Sequence, residues 1–171
     1  MTLAAEMAAD IGDTVSICSL RVGTGLYGIA TSQIREVLGT TVPQSVPLAP
    51  EYIAGVVPYR GKVLTAVSLR ALLRLERKSG SNCILVFDGE LIDEHFGLIV
   101  DGVNGVIALH KDTLRANPSG LDARSMEMFD GAYQLPSGLM VQLDPRKLRP
   151  SRLAESGLFA RLKQERQGEA R

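Results

Sequence analysis

The sequence is poor in the residues that most often announce chemistry. It has two cysteines, Cys18 and Cys83, and two histidines, His95 and His110. The cysteines lie far apart and lack the paired spacing of a zinc or redox site, so they read as small apolar core residues. The histidines are widely separated, and the neighbouring acids Asp93 and Glu94 read as a solvated turn, so no metal site is expected. There is no G-x-S-x-G elbow and no Cys-His pairing, which leaves nucleophilic catalysis without a candidate. Asp101 could be a lone acid, but acid chemistry needs a second titrating partner. A strand cap or a pairing with Arg or Lys is its expected role. No Lys or Arg precedes Arg21, and no apolar run approaches the ~20 residues of a membrane span. Neither a secretory leader nor membrane insertion is therefore expected, and the cytoplasm is the expected location.

What is present describes a folded binding module. The chain has 171 residues, 45% hydrophobic and 22% charged, with 17 glycines and 8 prolines spread along it. A chain of this size buries roughly 70% of its unfolded surface, enough for a core without disulfides or metal. The net charge is zero but unevenly placed: 11 Lys and Arg stand against 16 Asp and Glu through Asp144, and 8 against 3 from Pro145 onward. The basic tail interleaves Glu155, Glu165 and Glu169 with its cations and holds one aromatic, Phe159, which fits a solvated helix face better than a nucleic-acid surface.

Short strand-like runs separated by Gly, Pro and Asp-Gly signals dominate, so the expected class is mainly β. Thr14 to Val22 and Leu26 to Ala30 read as a hairpin turning at Gly23-Thr24-Gly25. Thr31 resembles an N-cap, and Ile34, Val37 and Leu38 recur at helical spacing, which predicts about two helical turns ending at Gly39. Pro43, Pro47 and Pro50 make the next stretch an irregular extended connection. Tyr52 to Val57 and Lys62 to Ser68 read as strands around a Pro58-Tyr59-Arg60-Gly61 turn, and Leu69, Leu72 and Leu73 as a short helix. The charged stretch Arg74 to Ser81 is the expected connector between two structural halves.

The second half repeats the style of the first. Asn82 to Phe87 and His95 to Val100 read as strands; Tyr27-Gly28-Ile29 and Phe96-Gly97-Leu98 occupy comparable places, hinting at two related barrels whose glycines suit a bulge or corner. Val106 to Leu109, Met128 to Gln134 and Leu139 to Asp144 are further strands, the last two flanking Leu135-Pro136-Ser137-Gly138. Residues 110 to 127 read as a loop with short helical pieces. Leu153, Leu158 and Leu162 predict a C-terminal helix laid on the β body. Gly23, Gly25 and Gly28 also fit G-x-G-x-x-G, but Ile29-Ala30 looks like strand, and VPQSVPLAP stands where a second parallel strand and its ribose-binding acid belong. A hairpin is preferred to a nucleotide-binding turn, with a nucleotide-linked enzyme kept as the rival reading.

Residues 51 to 70, EYIAGVVPYRGKVLTAVSLR, resemble the central signature of the CheW-like family, as does FGLIVDGVNGVIAL at 96 to 109. YGI at 27 to 29, IREVL at 34 to 38 and MFDGAY at 128 to 133 follow the same family order. The resemblance covers about residues 14 to 150, leaving a 1–13 tail and a basic 151–171 helix or tail. It implies two intertwined five-stranded SH3-like barrels, no catalytic groups and no cofactor. It also implies partners: the regulatory domain of the histidine kinase CheA, the cytoplasmic tip of a chemoreceptor, and other CheW-like proteins. Carried over residue by residue, the implied partner-binding positions are Ile34, Glu36, Val37, Gly55, Arg60, Gly61, Gly97 and Gly131, and Tyr59, beside Arg60 in the same turn, is counted with them. The family commonly has Asn-Leu where this chain has Pro58-Tyr59, Val-Asp-Leu where it has Val67-Ser68-Leu69, and Pro at Thr65. These departures leave open what supports Arg60, and fit a module serving a non-flagellar or pilus sensory system.

Overall fold

The computed structural model describes residues 12–80, 82–89 and 94–159. Most of the N-terminal tail, Ser81, Asp93 and residues 160–171 with Leu162 lie outside them. Within the described residues the chain is mainly β. Its strands are β1 (Thr14–Val22), β2 (Gly25–Ala30), β3 (Glu36–Leu38), β4 (Ile53–Tyr59), β5 (Lys62–Ser68), β6 (Cys83–Phe87), β7 (Phe96–Val100), β8 (Gly102–His110), β9 (Phe129–Leu135) and β10 (Gly138–Leu143). The helices are short: α1 (Leu69–Leu72), α2 (Ala123–Met128) and α3 (Pro150–Ser156).

The strands form two five-stranded sheets, ordered β8-β1-β2-β10-β9 and β3-β6-β7-β5-β4. In each, one parallel pair sits among antiparallel ones: β2 with β10, and β7 with β5. An isolated bridge brings each sheet's ends together, Arg115 with Ala132 in the first and Gln44 with Val56 in the second. Each sheet thereby curls into a barrel, which pairs edges that would otherwise present unpaired donors. Barrel one is built from both ends of the chain; barrel two is threaded whole between β2 and β8.

The main core lies between the barrels. Leu20, Val22 and Ile29 of the first meet Leu85, Phe87, Phe96 and Leu98 of the second, joined by Leu148, Leu153 and Phe159. Each such side chain stabilises the fold by about 1.5–3 kcal/mol on full burial. Each barrel also has its own small interior: Ile17, Tyr133 and Met140 in one, Val57, Ala66 and Ile84 in the other. Asp101 fastens the junction. It accepts from the Arg70 Nε at 2.9 Å and from the Gly23 amide at 2.8 Å, so one carboxylate ties α1 to the β1–β2 turn. Asp101 thus pairs with an Arg, as expected for an acid in that position.

Several expectations are corrected. Ile34 to Leu38 is not helical: a 3-10 turn spans Thr31–Gln33, and Ile34 is already extended at φ −94°, ψ 124°. Glu36–Leu38 pairs antiparallel with Ile84–Val86, and the Arg35 amide donates to the Val86 carbonyl at 2.9 Å. Three apolar residues at helical spacing carry too little propensity to outweigh a waiting sheet edge, and Ile34 and Val37 are β-branched. Arg74 to Gly80 does not divide the barrels, because it leads from α1 to β6 and both β5 and β6 belong to barrel two. Leu158 is exposed rather than facing the β body; α3 ends at Ser156, Gly157 turns left-handed, and Phe159 takes the buried place. Gly28 and Gly97 sit in unshifted antiparallel registers opposite Ser19 and Val86, so neither marks a bulge. Their reason is space: a Cβ at Gly28 would lie 2.6 Å from the Ile17 Cγ2, and one at Gly97 at 2.6 Å from the Ile84 Cγ2. The two glycines are equivalent positions of the two barrels. Gly25 opens β2 instead of a helix, so the G-x-G-x-x-G run lies on a hairpin.

Candidate functional site

The β4–β5 hairpin turns on two residues, Arg60 and Gly61, because Tyr59 still pairs with Lys62. Pro58 and Tyr59 therefore belong to the strand, which ends two residues later than the sequence predicts. Both turn residues are left-handed, with φ 47° at Arg60 and 74° at Gly61. That is the geometry a tight hairpin demands, since it matches the right-handed twist of the strands. Glycine adopts it freely; an arginine there costs roughly 1–2 kcal/mol.

The arginine is held where the turn puts it. Its Nη2 donates to the Glu36 Oε2 at 2.9 Å, and the Tyr59 hydroxyl donates to that same oxygen. The guanidinium lies 5.4 Å from the centroid of the Tyr59 ring. Glu36 comes from β3, so the strand that replaced the predicted helix supplies the acid. The Tyr59 hydroxyl hydrogen bond, reinforced by Arg60, holds the Glu36 carboxyl below its usual range against the opposing effect of desolvation. The same hydrogen bond pushes the Tyr59 phenol up. Beside this group Arg35 pairs with Asp88 at 2.7 Å, which raises the arginine further, and the Asp88 oxygen also lies 2.8 Å from the His95 Nδ1.

Exposed ion pairs of this kind contribute about 0–1 kcal/mol to stability. Their consequence here is orientation. The Arg60 side chain is still 64% exposed, so it presents a fixed plane and unused donors to whatever approaches.

The structure brings Glu36, Tyr59, Arg60 and Gly61 together and places the other predicted positions elsewhere. Ile34 is half-buried and packs against the main core. Val37 is exposed. Gly55 lies at the base of the hairpin, Gly97 inside barrel two, and Gly131 in barrel one. At Gly55, φ is 150° and a Cβ would stand 2.1 Å from the Gln44 carbonyl oxygen; at Gly131, φ is 148° and the Arg115 oxygen would be 2.3 Å away. Both glycines let a bridging segment close its barrel, so their role is architectural.

Sequence reasoning missed Val63, which is 65% exposed on β5, and its counterpart Leu139, 55% exposed on β10. An apolar residue beside a tight turn, out of phase with Leu64 and Ala66, was the available signal. Ser68 does not reach toward Arg60; its hydroxyl accepts from the Ala71 amide at 3.2 Å and caps α1. Where the family's usual asparagine and aspartate are missing, Tyr59 and Glu36 support the arginine. Among the described residues no three His, Cys, Asp or Glu side chains converge as a metal site, and no helix is long and apolar enough to cross a membrane.

The geometry can be set beside known proteins. The family model for the CheW-like domain matches residues 16–152. The chemotaxis protein CheW of Treponema pallidum is 22% identical over 136 residues, covering 77% of this chain and 80% of that protein. CheW of Bacillus subtilis is 28% identical over 115 residues, covering 67% and 74%. The crystal structure of the scaffolding protein TtCheW from Thermoanaerobacter tengcongensis shares the fold, with a TM-score of 0.67 at 21% identity over 76% of this chain and 88% of that one. With paired five-stranded barrels, an Arg-Gly hairpin tip and a family match across most of its length, this chain belongs to the CheW-like family of chemotaxis scaffold proteins.

Proposed function

We propose that the chain is a non-enzymatic adaptor that couples chemoreceptors to the histidine kinase CheA, using the β3–β4–β5 end of barrel two as a partner-facing surface. One observation carries this reading: Arg60 is exposed yet oriented by Glu36 and Tyr59. A surface arginine with no partner to meet has no need of two supporting side chains and a left-handed backbone. Exposed Val37 and Val63 flank the charged group in the chain and supply the apolar area that interfaces bury around an arginine anchor. The glycines at 55 and 97 support this surface through the geometry of barrel two, and Gly131 plays the corresponding part in barrel one. In this reading the protein makes and breaks no bonds; Asp101, the one acid that might have suggested otherwise, is engaged by Arg70 and Gly23.

A second reading keeps the kinase, or another CheW-like protein, as partner and drops the receptor. It is favoured by the changed residues beside the signature, Pro58, Tyr59 and Ser68, which leave Arg60 supported by Tyr59 of the hairpin and Glu36 of β3.

Titration of the purified chain against a kinase regulatory domain and a receptor tip separately tests both. Arg60→Ala and Val37→Asp are expected to weaken kinase binding at least about tenfold with unchanged circular dichroism. Val37 is the better probe than Ile34, whose replacement by Asp would disturb the core. Binding that matches wild type in both variants sinks the proposed surface, and kinase binding without receptor binding selects the second reading.

A further inference from the structure

A second site lies away from the hairpin tip. A cleft of about 410 Å³ opens beside α1, lined by Arg70, Arg74, Arg77, Lys78 and Arg124 against two carboxylates, Glu51 and Asp101. Asp101 is taken by Arg70, whose Nη1 also donates to the Glu76 carbonyl at 2.6 Å. Arg124 forms a wall, donating to the Leu72 and Leu158 carbonyls at 2.8 Å each with its guanidinium 4.4 Å from the Phe159 ring centroid. Arg74, Arg77 and Lys78 are exposed and, among the described residues, form no ion pair.

That separates them from much of the cationic surface, where Arg35, Arg60, Arg146, Lys147, Arg149 and Arg152 each sit on a carboxylate. Nor is the arrangement conformationally idle. Arg74 is left-handed at φ 57°, just past the end of α1, where its amide bonds to the Ala71 carbonyl and the Leu75 amide to that of Arg70. Helices ending this way favour glycine, so an arginine here sets its charge toward the cleft at a conformational cost.

We infer that this cleft binds a small organic anion carrying two or more phosphoryl groups. Guanidinium forks and an ammonium converging from α1 and the following connector suit phosphate oxygens. The volume falls in the range of small-ligand sites. Separate stretches of chain, including residues 43–54, 68–80, Asn82 and Arg124 with Phe159, converge on the cleft, and such concavity suits a compact ligand better than an extended acidic peptide.

Calorimetric titration of the full chain with sodium tripolyphosphate, a nucleoside triphosphate and a poly-glutamate peptide tests the assignment. Saturable binding of the two phosphate probes is expected, weakening with salt and falling at least about tenfold in the exposed double variant Arg77→Glu, Lys78→Glu. Lys62→Glu, an equally exposed change at the hairpin tip, should leave it unaltered. Absence of phosphate binding, equal weakening by Lys62→Glu, or tighter variant-dependent binding of poly-glutamate overturns the inference.

Discussion

The two barrels are one design carried out twice with different tips. Matched strand by strand, Gly28 of barrel one stands for Gly97 of barrel two, Ile17 for Ile84, and Gly131 for Gly55. The registers continue to the tips. Glu36, opposite Val86, corresponds to Gly105, opposite Ser19; Tyr59, Arg60 and Gly61 correspond to Leu135, Pro136 and Ser137. Barrel one keeps the outward apolar residues Val106 and Leu139 that match Val37 and Val63, but no charge at its tip. The close approaches that build a barrel are thus duplicated, whereas the charged group is confined to one copy. In the proposed reading, scaffold and recognition therefore separate physically, and each can be altered without the other.

The most damaging changes should strike both barrels alike. Valine at Gly55 or Gly131 would force a side chain into left-handed backbone and onto a carbonyl oxygen, costing more than about 3 kcal/mol in either place. Urea denaturation of the two variants measures this; a cost in only one would break the equivalence. A smaller effect, about 1–3 kcal/mol, is expected for Gly28→Ala and Gly97→Ala, which overpack against Ile17 and Ile84. A double-mutant cycle sharpens the point: Ile84→Ala should couple favourably with Gly97→Ala and not with Gly28→Ala. The smallest change in stability, within about 0.5 kcal/mol, belongs to Arg60→Ala and Pro136→Ala, both exposed. Only the first should weaken kinase binding.

The tip also carries a pH signature that the corresponding tip of barrel one, Leu135-Pro136-Ser137, lacks. Because the folded Glu36 carboxyl titrates below its ordinary range, its pairing with Tyr59 and Arg60 is complete above the usual carboxylate pKa of about 4.3 and is lost as pH falls through the lower, folded value. Partner binding through Arg60 should therefore be level from neutral pH down to about 4.3 and decline only below it. A decline that persists unchanged in Glu36→Gln would assign the effect to another group.

The sequence revealed most where each signal was local. The β1–β2 hairpin, β5 from Lys62 to Ser68 and α1 follow from alternation, turn residues and spacing within a few positions. The Arg60 turn was visible for the same reason, and the resemblance added Glu36. What stayed hidden depends on partners distant in the chain. Ile34 to Leu38 reads as helix until β6 offers it an edge; Leu158 reads as core until Gly157 rotates it outward and Phe159 inward. The connector at 74 to 80 looks like a boundary because charge marks exposure, and exposure alone does not say which sheet the next strand joins. Val63 was missed because an apolar residue in a barrel strand is ordinarily assigned to the interior.

The threading of the strands bears on how the polypeptide emerges during synthesis. Strands β3 to β7 leave the ribosome as an unbroken set and have every mate they need by Val100, whereas β1 and β2, made first, must wait for β8 and β10. Until then, the apolar side chains of the first hairpin have only the newly finished neighbour to cover them. The shared junction between the barrels thus also shelters an early segment until its own sheet is complete.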